Sequence, residues 1–88
     1  MKEGTMKSEN LQGMVQYLAD SLVGDTSQVH VKEYQSGNQI KLELRVARDD
    51  MGRIIGRHGR VANSIRLLLN VAAARQGKQA NLDIIEPL

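Results

Sequence analysis

The chain has 88 residues, enough for one small domain with a modest aliphatic core, and its formal net charge is only +2. It holds two tyrosines and neither phenylalanine nor tryptophan, which excludes a single-strand binder built on aromatic stacking platforms. The absence of cysteine excludes a disulfide framework and a thiolate metal site. No apolar run near the N-terminus resembles a signal sequence or a membrane span, so a cytoplasmic protein is expected.

Residues 1–7 are polar and aperiodic and read as a flexible tail, with a second methionine at Met6, ahead of one domain over 8–88. Ser8 offers an N-cap to a helix in which Leu11, Met14, Val15, Leu18, Ala19 and Leu22 recur at helical spacing, and Gly24 is expected to close it. Val29 to Tyr34 alternates weakly, and Ser36-Gly37-Asn38 marks a turn. The second strand is cleaner: Ile40, Leu42, Leu44 and Val46 point one way, Lys41, Glu43 and Arg45 the other. Asp49 or Asp50 then caps a short helix through Ile55. A glycine loop follows, and a long helix runs to about Arg75 before Gly77 ends it. Ala80 to Ile84 alternates as a third strand, stopped by Pro87. The order is α-β-β-α-α-β, an α+β fold with a three-stranded sheet and helices on one face.

The loop is the most informative stretch. Gly56 and Gly59 bracket Arg57 and His58, with Arg53 and Arg60 outside them and Ile54-Ile55 just before. Glycine accepts positive φ and lets a ligand approach the backbone, and the amides that open the next helix suit an anion. Six arginines (Arg45, Arg48, Arg53, Arg57, Arg60 and Arg66) lie within 22 residues around this loop. Residues 1–44 carry four lysines against six acids, whereas residues 45–88 carry seven arginines and one lysine against four acids. An arginine-rich patch centred on an anion site favours a nucleic-acid phosphate.

The run Ile-Ile-Gly-Arg-His-Gly-Arg at 54–60 resembles the (I/V)IGxxG signature of KH domains, and the element order resembles their type II arrangement. The resemblance covers about residues 8–86, and at this length the chain is similar to the KhpA family of small bacterial KH proteins. It implies a single-stranded RNA binder with mild sequence preference, acting as an RNA chaperone or post-transcriptional regulator. The loop would clamp phosphates, and bases of about four nucleotides would lie in a groove beside it. The candidate RNA-binding residues are Arg53, Ile54, Ile55, Gly56, Arg57, His58, Gly59 and Arg60, one of the two isoleucines belonging to the core. The alternatives are a KH-fold dimerisation module and a ribosome-associated RNA-binding factor.

The long helix carries more apolar residues than one buried face requires. Val61, Ile65, Leu68, Leu69 and Ala72 form the expected core stripe. Leu67, Val71 and Ala74 form a second stripe with Leu68 at its border, the candidate interface for a homodimer or for a heterodimer with a larger KhpB-type protein.

No enzyme chemistry is encoded that the sequence reveals. Asp49-Asp50 fits helix capping better than paired catalytic carboxylates, and Ser64 belongs to no nucleophile motif. His30 and His58 are too few for a metal site, and the glycine spacing fits neither dinucleotide nor nucleotide-hydrolase loops. Neither a cofactor nor a small-molecule substrate is expected.

Overall fold

The computed structural model describes residues 10–87, so the tail at 1–7 and the Ser8 cap lie outside the described residues. Its elements are α1 (Leu11–Leu22), β1 (His30–Ser36), β2 (Gln39–Arg45), α2 (Met51–Ile55), α3 (Arg60–Ala74) and β3 (Gln79–Ile85). Single 3-10 turns stand at Thr26–Gln28, Arg48–Asp50 and Arg57–Gly59. The order α-β-β-α-α-β is the one expected.

β2 is the central strand, antiparallel to β1 and parallel to β3. The β1–β2 hairpin closes at Ser36 opposite Gln39, leaving Gly37-Asn38 as a two-residue turn. Positive φ falls on Gly37 alone, at 59°, the demand of a II′ turn on its first residue. A parallel pair cannot be joined by a tight turn, so α2, the glycine loop and α3 form the crossover from β2 to β3. The loop is thus the midpoint of a connection whose two ends are fixed in one sheet.

The core lies between the sheet and the helices. Ile40, Leu42 and Leu44 of β2 meet Leu11, Val15 and Ala19 of α1, Ile65 and Leu69 of α3, and Leu82 of β3, all buried. Lys41, Glu43 and Arg45 take the other face, where Lys41 reaches Glu43 at 3.6 Å and Asp83 at 3.5 Å. Both edge strands have a backbone carbonyl covered from the helix layer. Gln12 donates to Val31 O of β1 at 2.8 Å, and Arg66 Nε to Leu82 O of β3 at 3.3 Å. Such cover blunts edges that would otherwise invite strand pairing. No helix among the described residues is long and apolar enough to cross a membrane.

Several local expectations change. The first helix begins at Leu11 and is capped by Asn10, whose side chain accepts the Gly13 N–H at 2.9 Å. Gly24 does not close that helix in a left-handed conformation; Val23, extended, is the C-cap. Gly77 does end α3: the Lys78 N–H bonds Ala73 O and the Gly77 N–H bonds Ala74 O, both at 3.0 Å, the paired bonds of a Schellman motif. The core stripe of α3 is Ala62, Ile65, Leu69, Ala72 and Ala73, with Val61 half-buried. Leu68, placed in that stripe by its spacing, is 50% exposed. It sits at the border, and the helix turns it outward.

Candidate nucleic-acid interface

The loop owes its shape to two glycines with different reasons to be glycine. Gly56 has φ 76° and ψ 174°, and a Cβ there would stand 2.8 Å from the backbone nitrogen of Val61 and overlap the Val61 side chain. Only a residue without Cβ lets the end of α2 meet the start of α3 so closely. Gly59, at φ 75° and ψ 11°, is the left-handed N-cap of α3, and a Cβ on it would find only Asn63 Nδ2 at 3.9 Å. Its surroundings are open. Between them His58 is also left-handed, at φ 57° and ψ 26°, a conformation that costs a non-glycine residue roughly 1–2 kcal/mol.

The loop closes on itself through two bonds. The Gly59 N–H donates to Gly56 O at 3.2 Å, and the Arg60 N–H donates to Arg57 O. These two amides are turned inward, so an anion at the loop would meet the others. Arg57, His58 and Arg60 are exposed, and none of the described residues pairs with their side chains. Ile54 is fully buried in the core, whereas Ile55 is half-buried beside the loop. Arg53 is tethered: its Nη1 lies 2.6 Å from Asp50 Oδ1, with the rest of the side chain exposed.

Asp50 is the unexpected member. Neither acid makes a side-chain cap to α2, and Asp50 is instead 3% exposed. Its Oδ1 accepts the Gly24 N–H at 3.0 Å, and its Oδ2 accepts the Asp25 N–H at 3.2 Å. With Arg53 this ties the α1–β1 connection to the start of α2. The Gly24 N–H is the main reason the Asp50 pKa lies below the ordinary carboxylate value. Burial opposes that shift, and the Asp25 N–H and the Arg53 guanidinium add to it. A Cβ on Gly24 would come 2.8 Å from Arg53 Nη1, the end of a flexible side chain that can move aside.

A polar row also runs away from the loop along α3. Gly59, Asn63, Arg66 and Asn70 are spaced to share one helix face. Arg66 is held on that face by bonds to Asn63 Oδ1 at 3.4 Å and to Leu82 O. In the sequence Arg66 stands out only as charge, and the signal for Asn63 and Asn70 is their i, i+4, i+7, i+11 spacing with Arg66 from Gly59.

A profile of the KhpA/KhpB KH domain matches residues 12–84 of this chain. The chain belongs to the KhpA/KhpB family of KH domains. It is 38% identical to the RNA-binding protein KhpA of Halalkalibacterium halodurans over 73 residues, 83% of this chain and 96% of that protein. It is 43% identical to the RNA-binding protein KhpA of Chlamydia trachomatis over 70 residues, 80% and 90% of the two chains. With KhpA of Borreliella burgdorferi the identity is 36% over 73 residues, 83% and 89%. The Gly56–Gly59 segment lies inside the matched region, at the tip of the helical crossover.

The second apolar stripe of this KH domain is on the surface. Leu67 is 64% exposed, Leu68 50% and Val71 51%, and Ala74 is exposed beside them. Leu67, Leu68, Val71 and Ala74, the four residues expected at an interface, thus lie on the surface of α3, on a different face from the polar row.

Proposed function

We propose that this domain binds single-stranded RNA by clamping its backbone at the GxxG loop. The observation that carries the reading is the open, left-handed Gly59 beside the exposed side chains of Arg57, His58 and Arg60, with which no described residue pairs. Phosphates approach over Gly59; Arg57, His58 and Arg60 supply charge, and the amides not used inside the loop supply donors. Bases lie against Ile55 and the groove between α3 and β3. Relatives of similar length are named RNA-binding proteins, which agrees with the reading. The role that follows is general RNA handling, as a chaperone or post-transcriptional regulator, rather than catalysis.

The test is to replace Arg57 and His58 together with aspartate. Circular dichroism is expected to stay that of the folded domain, because both side chains are exposed and the glycines are kept. Affinity for a short single-stranded RNA is expected to fall at least tenfold with two carboxylates placed beside the phosphates. Unchanged affinity in the folded variant would remove the clamp.

A second role rests on the exposed Leu67, Leu68, Val71 and Ala74. We infer that this face pairs with a second copy of the chain or with a larger KhpB-type protein. Two linked clamps on one strand then gain from effective concentration. Val71→Glu is expected to give a folded monomer with weaker RNA binding, read by sedimentation and a binding titration. Ile65→Glu, by contrast, buries an unpaired charge and unfolds the domain. A wild-type chain that remains monomeric at high concentration, alone and with a KhpB-type protein, would remove this role.

A further inference from the structure

Beside the edge strand β3 lies an open cavity of about 470 Å³, lined by Arg66, Leu69 and Asn70 of α3, by Ala80, Asn81, Leu82 and Asp83 of β3, and by Lys41 of β2. It continues the polar row that begins at Gly59, and Arg66 joins the two. Helix geometry puts Arg66 about 10 Å along α3 from Gly59, so a strand held at the loop passes the cavity mouth. Its lining is unlike a plain aliphatic base groove. It holds two amides, a fixed guanidinium, and a carboxylate paired with the Lys41 ammonium.

We propose that this cavity reads one base of the bound strand and prefers guanine. The inference rests on the RNA clamp described above. Asp83 decides it, because an ionised carboxylate only accepts hydrogen bonds. It has no donor to give a phosphate and instead favours a base edge that offers donors. Guanine alone presents two adjacent donors, N1–H and N2–H, on its Watson–Crick edge, which a carboxylate takes as a bidentate pair. Its O6 then accepts from Asn70 or Asn81, whose amides can donate. Adenine and cytosine offer Asp83 one amino group beside an acceptor, and uracil one N–H between two acceptors. Lys41 does not forbid this: it reaches Asp83 Oδ2 at 3.5 Å in a pair whose side chains are both 52% exposed, and such pairs hold weakly. The mild sequence preference expected from the sequence therefore gives way at one nucleotide.

The experiment titrates the full chain with short oligouridines that carry one central guanosine, adenosine or cytidine, beside the all-uridine strand, by fluorescence anisotropy. The guanosine strand is expected to bind about tenfold tighter than the others, the scale of one bidentate base contact. Asp83→Asn is expected to bring that ratio close to one without weakening the all-uridine strand, since it removes an exposed negative charge. Glu43→Gln, which removes a charge from the outer sheet face, is expected to leave the ratio alone. Equal binding of the four strands by the wild type, or an undiminished guanosine ratio in Asp83→Asn, overturns the base assignment and leaves the clamp standing. Failure of the wild type to bind any strand overturns both.

Discussion

The two ends of α2 are built on opposite plans. At its start, Asp50 is buried and bonded to two backbone amides and a guanidinium, so its carboxylate is not offered to solvent. At its end, Arg57 and His58 are exposed and unpaired among the described residues, and Gly59 faces open space. Five helical residues separate a locked end from an open one. The lock fixes where α2 points, and the crossover then presents its charges at a defined place beside the sheet. Charge that is satisfied inside the protein builds position; charge left unsatisfied is available to a ligand.

The same division runs between the two glycines, and breaking it there has the largest expected effect. Gly56→Ala forces a methyl group into Val61 and a disfavoured φ onto alanine, for a loss of roughly 3–5 kcal/mol, much of a small domain's stability. Gly59→Ala meets no atom closer than Asn63 and bears only the left-handed cost, about 1 kcal/mol. Thermal or urea unfolding is expected to rank Gly56→Ala far below Gly59→Ala. In RNA titrations Gly59→Ala, still folded, is expected to bind more weakly, because its methyl stands where the backbone phosphate approaches. Equal stability losses would mean that both glycines serve only packing.

The open end was legible in the sequence and the locked end was not. Glycines and arginines within nine residues announce the loop because every contributor is local. Asp50 is different, since its partners Gly24 and Asp25 lie on a connection that only the folded chain brings alongside, and an acid before a helix is ordinarily a cap. The strands of β2 and β3 and the element order followed from period-two alternation, which needs no tertiary knowledge. Leu68 shows the limit of periodicity: it lies at the edge of a stripe, and only the packing of α3 on the sheet turns it outward. The cavity by Asp83 escaped for the same reason as Asp50, being a meeting of helix and strand.

A smaller effect, confined to acid, tests the lock. The folded Asp50 carboxyl has a lowered pKa. Its contribution to stability is therefore complete above the unfolded value, near 4, and is lost as pH falls through the folded value. Melting temperature is expected to fall between about pH 5 and pH 2 more steeply in the wild type than in Asp50→Asn, which has no such proton to take up. At neutral pH the order of stability is wild type above Asp50→Asn, since the amide loses the charge that the Gly24 N–H and Arg53 satisfy. Parallel pH curves for the two proteins would show that Asp50 is not the anchor.

The smallest effect asks to which end Arg53 belongs. It lies between the two, bonded to Asp50 at 2.6 Å yet with its side chain 59% exposed. Each phosphate neutralised on a single strand contributes about −0.7 to the slope of log affinity against log salt, so three contacts give roughly −2. If Arg53 stays with Asp50, the contacts are those of Arg57, His58 and Arg60, and Arg53→Gln leaves the slope where it was. Arg57→Gln then makes it shallower by about 0.7. Asp50 holds Arg53 through a short, charge-assisted bond that the strand would have to break, so the first outcome is the one expected. An equal change in both variants would place Arg53 on the RNA and make α2 a landing site along its exposed side as well as at its tip.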